Sequence, residues 1–174
     1  MKLPKLDVPR DLTGVRFAVN VFIAATIVWY TLARIADVNP IWAIASMVAS
    51  SDPRAEEAMR LFRARMVNVA VGCAVGFVVL AMGHPAHWMI PVSLSLAVLV
   101  STYLVRIQTM WRQAPITAAI VIASGLTAHS KLSGVEQGLH KVAEVIFGCA
   151  VGWAVSVAMA KLWPIRQADG DGKS

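Results

Sequence analysis

Charge is what this sequence has least of. Only 15% of its 174 residues are Asp, Glu, Lys or Arg, 57% are hydrophobic, and the mean hydropathy is +0.64. A chain of this length cannot hide that much apolar surface in one small soluble core. A soluble globular domain is therefore excluded, and the sequence reads as an integral membrane protein. Cysteine is nearly missing: Cys73 and Cys149 lie inside apolar stretches among small residues, with no partner at metal-ligand spacing, so packing is their role. Also missing are a Ser/His/Asp set, a phosphate-binding loop and a nucleotide motif, so neither an enzyme nor a cofactor is expected. The net charge of +6 does not point to nucleic acid, because the basic residues gather beside apolar segments and not along one soluble face. Lys2, Lys5 and Arg10 precede an apolar run of spanning length with no small-residue cleavage site after it, which predicts an uncleaved first helix.

What the chain does have is an internal repeat. Gly72-Cys73-Ala74-Val75-Gly76 recurs 76 positions later as Gly148-Cys149-Ala150-Val151-Gly152, each followed by an aromatic, Phe77 or Trp153. A second match, offset by 75, pairs Pro40-Ile41-Trp42-Ala43 with Pro115-Ile116-Thr117-Ala118. Six apolar stretches follow, near residues 17–33, 41–49, 66–82, 88–105, 116–128 and 142–160, three per repeat. A straight spanning helix needs ~20 residues, so segments two and five are short. Three crossings per repeat invert the second copy relative to the first. The fold class is therefore all-α: a polytopic membrane protein of six transmembrane segments, arranged as two inverted three-helix repeats. Residues 1–14 form an interfacial lead-in, 15–164 the membrane domain (repeat one 15–83, repeat two 87–164) and 165–174 a loose tail. No stretch has the composition of a soluble domain. With both termini cytoplasmic, thirteen of the sixteen Lys and Arg fall inside and only Arg34, Lys131 and Lys141 outside, which sets the orientation.

The helix holding Gly72 starts early, because residues 54–65 are free of proline and helix-compatible. A helix of about 30 residues protrudes into the cytoplasm, where Glu56 and Glu57 can pair with Arg60. Segments two and five each open with proline, Pro40 and Pro115, and run out early, at Pro53 and Gly125. Paired short segments read as broken helices, which membranes tolerate only around a cavity and which point to a transporter's binding site.

Arg65 and Lys141 correspond under the 76-residue offset, and inversion puts them at opposite faces. Either they bracket an anion path, with Arg63 reinforcing the cytoplasmic mouth, or they snorkel to headgroups. Glu144, equivalent to Asn68, lies about one turn into the sixth segment. A central charge costs ~3 kcal/mol on insertion scales, so Glu144 is protonated, faces water or pairs with Lys141; adding His140 gives a proton-sensitive site. His84 and His87 have metal-compatible spacing but no carboxylate or cysteine beside them, and read as loop histidines. Most Trp and Tyr sit near segment ends as an interfacial belt. Trp42 is the exception, in the first turn of a short segment aimed at the cavity and placed to stack an aromatic substrate. Gly72/Gly76 and Gly148/Gly152 let the two long helices approach each other across the pseudo-axis or meet a second subunit.

With these motifs in place the chain resembles the fusaric acid resistance (FUSC-like), or aromatic acid exporter, family of bacterial inner membrane proteins. The likeness rests on Asn39-Pro40-Ile41-Trp42-Ala43, on Arg65 with the Gly72/Gly76 helix after Asp52-Pro53, and on His140-Lys141-Val142-Ala143-Glu144 leading into Gly148. It covers about Val15 to Pro164. Plant aluminium-activated malate transporters share a distantly similar six-helix unit. The resemblance implies efflux of organic, above all aromatic, carboxylates, with Trp42, Arg63, Arg65 and Lys141 binding substrate and Glu144 and His140 coupling protons. Larger members carry two six-helix halves and a cytoplasmic domain; this chain has one half, which implies a homodimer. Lys141 stands where an Arg is expected. A passive anion channel and a non-transporting membrane subunit are the rival readings.

Overall fold

The computed structural model describes residues 13–35, 40–82, 88–104, 113–127 and 131–163. Most of the lead-in, all of the tail and His84, His87 and His129 lie outside the described residues. Among the described residues six α-helices run in order: α1 Thr13–Ile35, α2 Ile41–Ser50, α3 Ala55–Met82, α4 Met89–Leu99, α5 Ala114–Thr127 and α6 Lys131–Leu162. Among the described residues there is no strand. α1, α3 and α6 are long and apolar enough to cross a membrane. The repeat is visible in the register: α1 and α4, like α3 and α6, begin 76 residues apart.

Two lengths differ from expectation. α4 is short as well, because after Leu99 the backbone widens into a π-helical turn, Val100–Leu104. α6 starts at Lys131, so it carries a long leading end just as α3 does, and Glu144 lies well inside the helix instead of one turn in. α2 stops where Ser50 and Ser51 turn their hydroxyls back onto the carbonyl of Met47 (3.1 and 2.8 Å) and Pro53 follows. Asp52 then accepts from the N–H of Arg54 (2.7 Å), and Glu56 and Glu57 complement the positive start of α3.

The core is built by exchange between the repeats. One cluster joins Ala24, Val28 and Leu32 of α1 to Ala43 and Met47 of α2, with Phe147, Val151 and Val155 of α6 against it. Its counterpart joins Met89 and Ala97 of α4 to Ala118 and Ile122 of α5 and to Val75 and Val79 of α3. Each trio therefore takes its first two helices from one repeat and its third from the other. The seam between trios holds Val69, Val121, Val142, Val145 and Cys149. Val69 and Val145 are equivalent residues sharing that seam, while Phe62 stacks on Trp153 (5.5 Å between ring centroids). Rising numbers on α3 thus meet falling numbers on α6, and the two helices run antiparallel, as inverted repeats require.

The glycines lie at these exchanged contacts. A Cβ on Gly148 would collide with the carbonyl of Ala43 in α2, and one on Gly152 would lie 2.5 Å from the carbonyl of Met47. In the other trio, Gly72 faces the carbonyl of Ala114 (2.5 Å) and Gly76 faces Val121 (2.9 Å), both in α5. The close partner of each glycine pair is therefore the short helix of the opposite repeat, neither the other long helix nor a second subunit. A short helix can settle into the groove that absent side chains leave, down to backbone contact.

Candidate functional site

α3 presents Ala58, Arg65, Asn68, Val69, Gly72, Val75, Gly76, Val79 and Leu80 to the interior, a mostly apolar face carrying one cation. Arg65 is only 5% exposed. Its guanidinium donates to the side-chain oxygen of Gln113, just before α5, and to the hydroxyl of Ser46 in α2 (3.2 Å). Its Nε has no hydrogen-bond partner, and among the described residues it pairs with no carboxylate. Ser46 is also where α6 arrives, since the Cys149 thiol donates to the Ser46 carbonyl (3.6 Å). Arg65 thus stands where α3, the middle of α2 and the start of α5 meet, with the positive end of the α5 backbone beside it. A buried cation with neutral partners only is costly unless an anion joins it.

The equivalent cation is handled differently. Lys141 donates to Oε1 of Glu144 (2.8 Å) one turn along α6, and Glu144 is 7% exposed with its Oε2 unpartnered. His140 does not join this pair. It is exposed and lines an open groove on the flank of α6 with Val135, Glu136, Leu139 and Ala143.

The remaining candidates separate from Arg65. Arg63 is exposed, as two residues along a helix must point apart. Trp42 is 44% exposed, whereas its equivalent, Thr117, is buried against Gly72. Pro40 caps the start of α2 and Pro53 follows its end; Pro115 sits in the first turn of α5. Gly125 does not break α5, which continues to Thr127; it is a packing glycine, its missing Cβ leaving room for Leu80 of α3 (2.6 Å). The expected solvated pair on the leading end of α3 forms between Arg60 and Glu57 (2.6 Å).

Sequence reasoning passed over the polar partners. Ser46 and Gln113 carry no motif of their own, and only their position opposite Arg65 gives them a role. Arg16 and Asn20 had a signal: α1 buries one stripe at four-residue spacing, Arg16, Asn20, Ala24, Val28 and Leu32, and two of those five are polar.

The fusaric acid resistance protein-like family matches residues 22–155, from the middle of α1 to near the end of α6. The chain belongs to that family. No curated protein and no solved structure matches the chain. Fusaric acid resistance-like proteins form a family of membrane transporters and not of enzymes, and the matched segment contains Arg65, Lys141, Glu144 and all four repeat glycines. Its apolar helices place this member in a membrane as a multi-pass protein.

Proposed function

We propose that this chain exports organic carboxylates, aromatic ones foremost, across the bacterial inner membrane, driven by protons and working as a homodimer with both termini in the cytoplasm. The observation that carries the reading is Arg65, a buried guanidinium with two neutral partners and an unsatisfied Nε at the start of a short helix. A substrate carboxylate supplies the missing counter-charge, and Gln113 and Ser46 move from Arg65 onto its oxygens. Glu144 carries the proton. While ionised it holds Lys141; once protonated it releases that cation to draw the substrate outward. Trp42 and Arg63 act at the rim, where exposure leaves room for an arriving ring or anion.

The short Lys141–Glu144 pair favours a second reading, a passive anion channel in which Glu144 only neutralises Lys141. Currents from proteoliposomes on a solid-supported membrane separate the two. The challenges are 4-hydroxybenzoate, benzoate, malate and chloride, each with and without a pH gradient. Export predicts selective, gradient-dependent currents that Arg65→Ala reduces at least tenfold. Gradient-independent currents that survive Glu144→Gln identify a channel. Silence for every anion from folded protein sinks both and leaves a non-transporting subunit.

A further inference from the structure

A second buried cation lies at the end of the molecule where α1 begins. Arg16 is 2% exposed, donates to the carbonyl of Pro53 (2.8 Å) and leaves its Nε unpartnered. One turn along, Asn20 is 1% exposed, donates to the Ser156 hydroxyl of α6 (3.0 Å) and leaves Oδ1 unpartnered. The same hydroxyl accepts from the N–H of Asp52 (3.3 Å), so the cluster joins α1, the α2–α3 turn and α6. Among the described residues Arg16 pairs with no carboxylate.

Three facts set this cluster apart from a scaffold contact. The positions equivalent to Arg16, Asn20 and Ser156 under the 76-residue offset are Val92, Leu96 and Leu80, all apolar and the first two exposed, so repeat two has no counterpart of the cluster at those positions. Two buried polar atoms remain unsatisfied at one site, a cost that a bound oxyanion removes. Finally, Ser156 lies seven residues beyond Cys149 on the face of α6 that meets α2, which at ~1.5 Å per residue puts the cluster roughly 10 Å along the same groove from Arg65.

We infer that Arg16 is a second carboxylate-binding residue, an intake subsite through which the substrate passes on its way to Arg65. The inference rests on the export reading and extends it. In the occupied site Arg16 Nε donates to the carboxylate. The Asn20 amide turns over, so that its Oδ1 accepts from Ser156 and its Nδ2 donates to the ligand. The occupant is a soluble carboxylate and not a lipid phosphate, because the guanidinium is enclosed by helices and does not face the bilayer.

The test is benzoate binding to the purified full-length protein by titration calorimetry, with melting temperature followed in parallel. Arg16→Gln should weaken the Arg16-dependent component of binding at least tenfold while the component at Arg65 persists, and Arg16→Lys should keep most of both. Asn20→Asp provides the sharper variant. An internal carboxylate beside Arg16 should raise the melting temperature while abolishing the Arg16-dependent binding, and a merely structural role cannot produce that opposition. Wild-type affinity in Arg16→Gln or in Asn20→Asp overturns the inference, as does absence of benzoate binding to the wild type. A melting temperature raised by phosphatidylglycerol vesicles in wild type but not in Arg16→Gln, with benzoate inert, assigns the site to lipid and also overturns it. Benzoate binding that depends on Arg16 but yields no current in proteoliposomes leaves the subsite standing and removes the export reading instead.

Discussion

Arg65 and Lys141 stand at the same place in equivalent helices, each ten residues from its helix start, yet they live different lives. The cause sits three residues further on. Repeat two carries Glu144 there and closes an ion pair with Lys141; repeat one carries Asn68, and Arg65 turns to Ser46 and Gln113 instead. Duplication fixed the register of the two cations, and one divergent residue decided which of them keeps its charge available. The glycine contacts diverge at one of their two positions: Gly148 and Gly72 both face a backbone carbonyl, whereas Gly152 faces the Met47 carbonyl of α2 and its equivalent, Gly76, faces the Val121 side chain of α5.

The largest effect expected from probing this asymmetry is at the glycines. Gly152→Ala forces a methyl against the Met47 carbonyl (2.5 Å), where neither helix can yield, and should cost about 3 kcal/mol or more, read as a large drop in melting temperature or loss of folded protein. Gly76→Ala meets the Val121 Cβ (2.9 Å), which moves only with α5 itself but overlaps less deeply, and should cost about 2 kcal/mol, read as a smaller drop in melting temperature in detergent. Equal losses at the two positions would break the comparison.

Next comes Asn68→Glu, which gives repeat one the carboxylate of repeat two. Benzoate binding at Arg65 should fall at least tenfold, because an internal anion then occupies the guanidinium; unchanged binding would show that Arg65 is not where substrate charge is met. Glu144→Gln is the reverse exchange. It leaves Lys141 unpaired but partly exposed, so it should cost about 1–2 kcal/mol while removing the dependence of currents on the pH gradient. Arg60→Ala, on the exposed leading end of α3, should change stability by less than about 0.5 kcal/mol and leave currents untouched, setting the baseline for a solvated ion pair.

Much of this arrangement was legible in the sequence. The repeat, the long apolar α1, α3 and α6, the extended α3 and the short α2 and α5 follow from spacing and hydropathy, whereas α4 read as long, and the family resemblance rested on residues that the family match also covers. The Lys141–Glu144 pair follows from helical geometry, since i and i+3 share a face. What could not be read was which helix meets which. The glycine pairs announce a close contact without naming its partner, because a groove is a property of one surface and its occupant is chosen by the whole packing. The same limit hid Gln113 and Ser46 and led to a misjudgement of Gly125. A proline at a helix start is a local signal, but a glycine that admits Leu80 looks in sequence like a glycine that ends a helix.

The exchange of short helices between repeats bears on how this molecule is divided and how it can be made. Neither half of the sequence owns a finished core: cut the connection between α3 and α4, and each fragment is left with a long helix whose glycine groove only the other fragment can fill. Separate expression of the halves should give folded protein only when both are present together. For the same reason the packing units of this molecule are not continuous stretches of chain. They are α1, α2 and α6 on one side and α4, α5 and α3 on the other, joined at the valine seam that holds Val69 and Val145.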